Sequence, residues 1–247
     1  MQYFRGLLFA LGVSFGGLTF IYGQQESNSS DFSKDAINQY AEKRYGLDDL
    51  LVNGIRYQPE RINVNGSPDF EYDESAGISL FIKGQPFFNV DLKYDITVDQ
   101  LILIQPLENG YERQVMLQAE LVDSFYLGSQ LFINLGKPKE NSLEHRYFEK
   151  VFSGNELFLI KYQKTYIKIY DSSNKGRYSP QQSTYYIYNQ GSLIKVNSKK
   201  SFLSFYAGYK KEIREFMREN GIRYRKASNE ELKKLMAFCY AKSIQNS

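Results

Sequence analysis

From residue 89 the chain alternates strictly. Val90, Leu92, Tyr94 and Ile96 fall on one side of an extended backbone, and Asn89, Asp91, Lys93 and Asp95 on the other. A period of two marks a strand with one buried face. Leu101 to Ile104, Val115 to Leu121, Phe125 to Ile133, Tyr147 to Phe152 and Leu157 to Tyr170 predict further strands. In each, β-branched and aromatic residues run between breaks made by Gly, Asn, Pro or Asp. Tyr185 to Tyr188 and Leu193 to Val196, joined by Asn189-Gln190-Gly191, predict a hairpin. Upstream, Ile62 and Val64 alternate with Asn63 and Asn65 before the turn Gly66-Ser67-Pro68. No long helix alternates with these strands, which argues against a doubly wound parallel sheet. The expectation is an α+β fold, mainly antiparallel β, as a sandwich or an open curved sheet with C-terminal helices packed on it.

The period changes near the end of the chain. Ile213, Phe216 and Met217 make one helical face, and Asn220-Gly221 supplies a stop. Ser228 followed by Glu231 is a capping box, in which each side chain satisfies a backbone N–H at a helix start. Leu232, Leu235, Met236, Cys239 and Tyr240 then form one stripe. Such helices need a surface to cover, and the sheet is the one available. A further, short helix is predicted over Ser33 to Tyr45, with Ile37, Tyr40 and Ala41 at helical spacing and Gly46 as its stop.

The first residues follow neither pattern. After Arg5, Gly6 to Tyr22 carries no charge and is rich in Leu, Phe, Val and Ile. A positive start and an uncharged run of that length read as a secretory signal, with Ile21 and Gly23 at the minus-three and minus-one positions of a cleavage site. Four glycines interrupt the run, which argues against a retained membrane helix of about 20 strongly apolar residues. No Cys follows that could carry a lipid anchor. The division expected is a signal peptide over 1–23, a polar leader and short helix over 24–53, an antiparallel β-rich body over 54–197 and a basic helical segment over 198–247. The last two belong to one domain.

Composition narrows the chemistry. Of 247 residues, 42% are hydrophobic and 24% charged, enough for a substantial core. A single Cys and a single His exclude an intramolecular disulfide framework and any zinc site built only from those ligands. There are 21 Tyr and 18 Phe but no Trp, so aromatic rings supply much of the core and of any binding surface.

Charge is divided unevenly. Residues 24–197 hold 18 basic and 23 acidic side chains, and residues 198–247 hold 12 and 5, giving local charges of minus 5 and plus 7. A basic end docks on the acidic body or faces a partner. The candidate contacts are Lys199, Lys200, Lys210, Lys211, Arg223, Arg225 and Lys226. A solvated face of mixed charge is the plainer reading, because Glu212, Glu215 and Glu219 alternate with Lys211, Arg214 and Arg218. That alternation makes nucleic acid a poor partner.

The remaining candidates each have a structural explanation. Asp69, Glu71, Asp73 and Glu74 form an acidic run, but counting from Asp69 an EF-hand loop fails, with Glu74 and Leu80 where Gly and Glu are needed. A charged sheet edge fits the same residues. Asp91, Asp95 and Asp99 recur every four residues. On one strand the first two stand roughly 13 Å apart, too far for a retaining glycosidase pair, and Asp95 is placed to cap a turn. His145 falls in a polar connection with no Gly-x-Ser-x-Gly elbow anywhere in the chain. Cys239, on an apolar stripe, reads as buried and inert. No Gly-x-Gly-x-x-Gly or P-loop is present, and no catalytic residue, metal or cofactor is implied.

Two stretches carry a resemblance. Asn89-Val90-Asp91-Leu92-Lys93-Tyr94-Asp95-Ile96 running to Asp99-Gln100-Leu101 is similar to a segment of exported, uncharacterised proteins of Bacteroidetes-type bacteria. Tyr185-Tyr186, the stretch Val196 to Leu203, and Lys210 to Phe216 ahead of Asn220 resemble the same proteins in order and spacing. The resemblance implies an envelope location, periplasmic or secreted, and transfers no activity. The function expected is non-catalytic binding of an envelope protein, polysaccharide or lipid head group. The alternatives are a hydrolase of envelope or external glycans that uses carboxylates from separate strands, and a carrier holding an apolar ligand in a curved sheet.

Overall fold

The computed structural model describes residues 55–58, 64–72, 79–88, 90–107, 110–136, 146–169 and 176–244. The signal predicted over 1–23, the helix predicted over Ser33 to Tyr45, the pair Ile62 and Asn63, Asp73, Glu74, His145 and Tyr170 lie outside the described residues.

Alternating residues build two main sheets. β1 (Ile55–Arg56), β4 (Asp91–Asp95), β5 (Gln100–Pro106) and β6 (Glu112–Met116) form a four-stranded sheet in the order β1-β6-β5-β4. β2 (Ser79–Ile82), β3 (Gln85–Phe88), β7 (Val122–Leu127), β8 (Gln130–Asn134), β9 (Tyr147–Ser153), β10 (Leu157–Gln163), β13 (Gln182–Asn189) and β14 (Ser192–Lys195) form an eight-stranded sheet in the order β14-β13-β10-β9-β8-β7-β2-β3. β11 (Tyr166–Ile167) and β12 (Arg177–Tyr178) make a small third sheet. Every strand pairing within these sheets is antiparallel. The fold is α+β and mainly antiparallel.

Local chemistry corrects the limits of three predicted strands and adds one hairpin. Phe125 to Ile133 is two strands, because Gly128 adopts φ +60 and lets the chain reverse at Gly128-Ser129, pairing Leu127 with Gln130. Val115 to Leu121 ends early: Leu117 is the last residue bonded to β5, through Leu101, and Leu121 N–H closes a turn on the Gln118 carbonyl. Leu157 to Tyr170 breaks after Gln163, where the Lys164 side chain turns inward onto the carbonyls of Ser67 and Asp69. The sequence pattern offered no strand over residues 79–88. There Lys83 and Gly84, with φ 48 and 76, make the two-residue reversal that matches strand twist. The predicted hairpin at Gln190-Gly191, φ 47 and 82, forms the same way.

One row of cross-strand neighbours crosses seven of the eight strands of the large sheet: Phe87, Leu80, Phe125, Phe132, Glu149, Ile160 and Tyr185. All seven are buried. Phe125 and Phe132 are covered by Tyr94 of β4, whose ring meets theirs edge-on at 5.5 and 5.4 Å, and Phe70 packs edge-on against Phe132 at 5.0 Å. Ile160 and Tyr185 are covered by helices α1 (Lys199–Phe205), α2 (Lys210–Glu219) and α3 (Asn229–Ile244).

The helices form for the reasons the sequence carries. Ser198 caps α1 in a reciprocal pair with Ser201. Ser228 and Glu231 make the predicted capping box at α3, with Ser228 N–H donating to Glu231 at 2.7 Å and Glu231 N–H to Ser228 Oγ at 3.2 Å. Gly221, φ +66, ends α2. Ile213, Met217, Leu232, Leu235, Met236 and Cys239 enter one core with Phe158, Ile160, Tyr185 and Ile187 of the sheet. Phe216 stacks on Phe238 at 4.2 Å, joining α2 to α3.

Candidate functional site

The seven basic candidates are all exposed, and the fold sorts them into two places. Lys199 and Lys200 occupy the first turn of α1. Arg223, Arg225 and Lys226 lie in the connection after α2, which is pinned beside the start of α1. Tyr224 Oη donates to the Val196 carbonyl at 2.7 Å, and Arg225 donates to Asn197 Oδ1 at 2.8 Å and the Ser183 carbonyl at 3.0 Å. Its guanidinium also lies 4.6 Å from the centre of the Tyr185 ring. Arg225 is therefore a structural residue that fastens the connection, through one bond from each terminal nitrogen of its guanidinium. Lys210 and Lys211 begin α2, ten residues long, whose far end is about 15 Å away at the rise of an α-helix.

One further cation joins the first group. Lys195, exposed at the end of β14, lies within five residues of Lys200. No acidic residue occurs in 192–200 or 222–227. That local lack of acid was readable in the sequence, although the meeting of the two stretches was not. Among the described residues, none of Lys195, Lys199, Lys200, Arg223 and Lys226 takes part in an ion pair.

A second polar cluster was missed. Lys161 of β10 and Tyr94 are 1% exposed and Asp99 is 6% exposed. Lys161 Nζ pairs with Asp99 and donates to Tyr94 Oη at 2.8 Å and the Tyr147 carbonyl at 3.0 Å. Tyr94 Oη in turn donates to Asp99 at 2.5 Å, and Arg146 N–H donates to the other Asp99 oxygen at 2.5 Å. Burial pushes the Lys161 ammonium below its ordinary range, with the Asp99 carboxylate partly opposing it. Burial and Asp99 raise the Tyr94 hydroxyl well above its usual range. These groups are enclosed and mutually bonded, so the cluster acts as a pin between the sheets. The buried Tyr147 hydroxyl beside it has no hydrogen-bond partner among the described residues.

The three aspartates at four-residue spacing have three environments. Asp91 is exposed. Asp95 caps the turn as expected, accepting from Thr97 N–H at 2.8 Å and Thr97 Oγ1 at 2.6 Å, and it also accepts from Tyr57 Oη at 2.7 Å. Asp99 serves the pin. Of the acidic run, Glu71 pairs with Lys164 at 2.7 Å and Asp69 accepts from Ser67 Oγ at 2.8 Å. Among the described residues no three His, Cys, Asp or Glu side chains converge as metal ligands would. Cys239 is fully buried, and burial pushes its thiol up to about 12.

A surface cleft of about 600 Å³ is lined by Glu120, Val122, Asp123, Asn134, Leu135, Gly136 and Arg146. Its charges are internally satisfied. Arg146 pairs with Glu120, Asp123 accepts the Gly84 N–H at 2.6 Å, and Asn134 donates to the carbonyls of Ala119 and Val122 at 2.6 and 2.7 Å. Comparison with known proteins finds no matching family model, no matching curated protein and no matching solved structure.

Proposed function

We propose that the chain is an exported, non-catalytic binding protein of the cell envelope that holds an acidic component on its basic C-terminal surface. The observation that carries this reading is that the bonds of Tyr224 to Val196 and of Arg225 to Asn197 join two stretches that hold Lys195, Lys199, Lys200, Arg223 and Lys226, all exposed, and no acid. Stability alone disfavours this placement. Lysines in the first turn of α1 face the positive end of the helix dipole, at a cost of about 0.3–1 kcal/mol each, and no acid offsets them there. An anionic partner reverses the sign of that interaction. Export rests on the N-terminal sequence and on the resemblance to exported envelope proteins, and mass measurement of the secreted chain tests it: the mature protein should begin at Gln24.

The binding reading is tested by crosslinking and co-purification from the native envelope, with these residues neutralised in groups. Partner recovery should fall with neutralisation and with salt, since the Debye length shortens from about 10 Å at 0.1 M to about 3 Å at 1 M. Recovery of the same partners from the neutralised protein excludes this surface, and turnover of an envelope glycan by the pure protein overturns the non-catalytic reading.

A further inference from the structure

We infer that the outer edge of β14 is a docking edge for an extended acidic peptide, which adds to the large sheet as one more strand. The inference rests on the proposed basic surface and names the class of its partner. β14 is the terminal strand of its sheet. Its pairing starts with Ser192 opposite Asn189 across a two-residue turn, and Val196 N–H donates to the Tyr185 carbonyl at 2.9 Å. Hydrogen-bonded and non-bonded pairs alternate along an antiparallel ladder. Ser192, Ile194 and Val196 therefore direct their amides to β13, while Leu193 and Lys195 direct theirs outward, and no backbone group among the described residues meets them. Ser192, Ile194 and Lys195 are exposed.

The opposite edge of the same sheet is guarded. β3 carries Pro86 within the strand, which offers no N–H to a newcomer. β14 carries no proline and is followed directly by the cationic surface. Charge selects the occupant. A second copy of this chain pairing edge to edge brings Lys195 and Lys199 against their own like charges, whereas an acidic strand meets complementary charge along the edge and beyond its end. Strand addition supplies affinity through main-chain hydrogen bonds, and the surrounding charges supply choice of partner.

The test is fluorescence anisotropy of a labelled ten-residue peptide alternating glutamate and valine, titrated with the full chain at low salt. A second peptide has the same side chains but every backbone nitrogen methylated. The unmethylated peptide should bind about tenfold or more tightly than its methylated form, the loss expected for removing main-chain hydrogen bonds at constant charge. Leu193→Pro, which deletes an outward N–H, should weaken binding similarly. Should this variant melt early, the two peptides on the unaltered chain decide the matter alone. Replacing Lys195, Lys199 and Lys226 with glutamine should weaken both peptides. Equal binding of the two peptides, or no binding of either, overturns the docking edge. Equal binding that is still lost in the glutamine variant leaves the basic surface standing. Unchanged binding of the peptides by the glutamine variant instead removes the basic surface as the contact.

Discussion

The two coverings of the large sheet hold it by different physics. On the helical side, Leu232, Leu235, Met236 and Cys239 form one mainly apolar core with Phe158, Ile160 and Ile187, in which the Tyr206 and Tyr224 hydroxyls donate to Glu156 and to the Val196 carbonyl. On the side of the four-stranded sheet, the rings of Tyr94 and Phe70 do the covering, and behind them an ion pair, a tyrosine hydroxyl and two backbone groups are bonded out of water. Apolar contacts lose energy in proportion to the volume removed. A buried ion pair fails abruptly, because loss of one partner strands the other charge. Glu149 stands where the two coverings meet, in an otherwise apolar row, and accepts from Asn229 of α3 at 2.5 Å, Tyr162 at 2.6 Å and Gln130 at 3.2 Å.

The polar side should therefore be the more brittle. Asp99→Asn keeps the shape and leaves Lys161 unpaired, and should cost about 3–5 kcal/mol in denaturant unfolding near neutral pH. The loss should shrink as pH rises. The Lys161 pKa is already lowered by folding from its ordinary 10.5, so the unfolded chain holds more protons there and stability climbs with pH toward that value. A cost of less than about 1 kcal/mol would place Lys161 outside the energetics of the sheet contact.

On the apolar side, Leu235→Ala should cost about 3 kcal/mol by the same measurement, with no pH dependence of its own. Cys239 should resist thiol labelling in the native state and react once the chain unfolds. A cost below about 0.5 kcal/mol, or rapid labelling, would remove α3 from the core.

Smaller effects separate the coverings further. Tyr147→Phe deletes a buried hydroxyl that has no partner among the described residues and should raise stability by about 1 kcal/mol, read as a higher denaturant midpoint. At the junction, burial raises the Glu149 pKa above its ordinary 4.5. Its contribution is thus fully present below that pH and is lost as pH rises through the folded-state value. Glu149→Gln should flatten this slope, since Asn229 can turn to present its oxygen to the new amide. An unchanged stability profile would assign the slope to other groups. Neutralising Lys199 and Lys200 should raise stability by no more than about 1 kcal/mol each, and neutralising Arg223 and Lys226 should change it by no more than about 0.5 kcal/mol each, while partner capture falls. A larger loss would mean that these cations hold the fold together.

The helical covering was legible because its signals are local. Ile213 to Met217, the Ser228 and Glu231 cap and the stripe from Leu232 each lie within a few residues, where period and backbone hydrogen bonding act together. The strands were legible as strands, but less so in their limits. Phe125 to Ile133 is apolar on both sides of Gly128, so nothing in its hydrophobicity announces a reversal, and Lys83-Gly84 is a weaker turn signal than the Asn or Asp pairs that usually mark one. The basic stretches were visible singly, while their meeting depended on Tyr224 and Arg225 reaching residues 28 apart in the chain.

Lys161 shows where sequence ends and tertiary structure begins. In the sequence it is a charged residue in a strand, a type that belongs at a surface. Its burial depends on Asp99, 62 residues away, which turns at φ 58 to meet it, and on Tyr94, 67 residues away on the other sheet. Periodicity determined which segments became strands and helices and which side of each was apolar, because those properties arise from the spacing of neighbours along one backbone. Which strands became edges, which face each covering took and which charges met out of water were decided only when distant segments closed on one another, because a pairwise contact leaves no periodic trace in either partner's own stretch of chain.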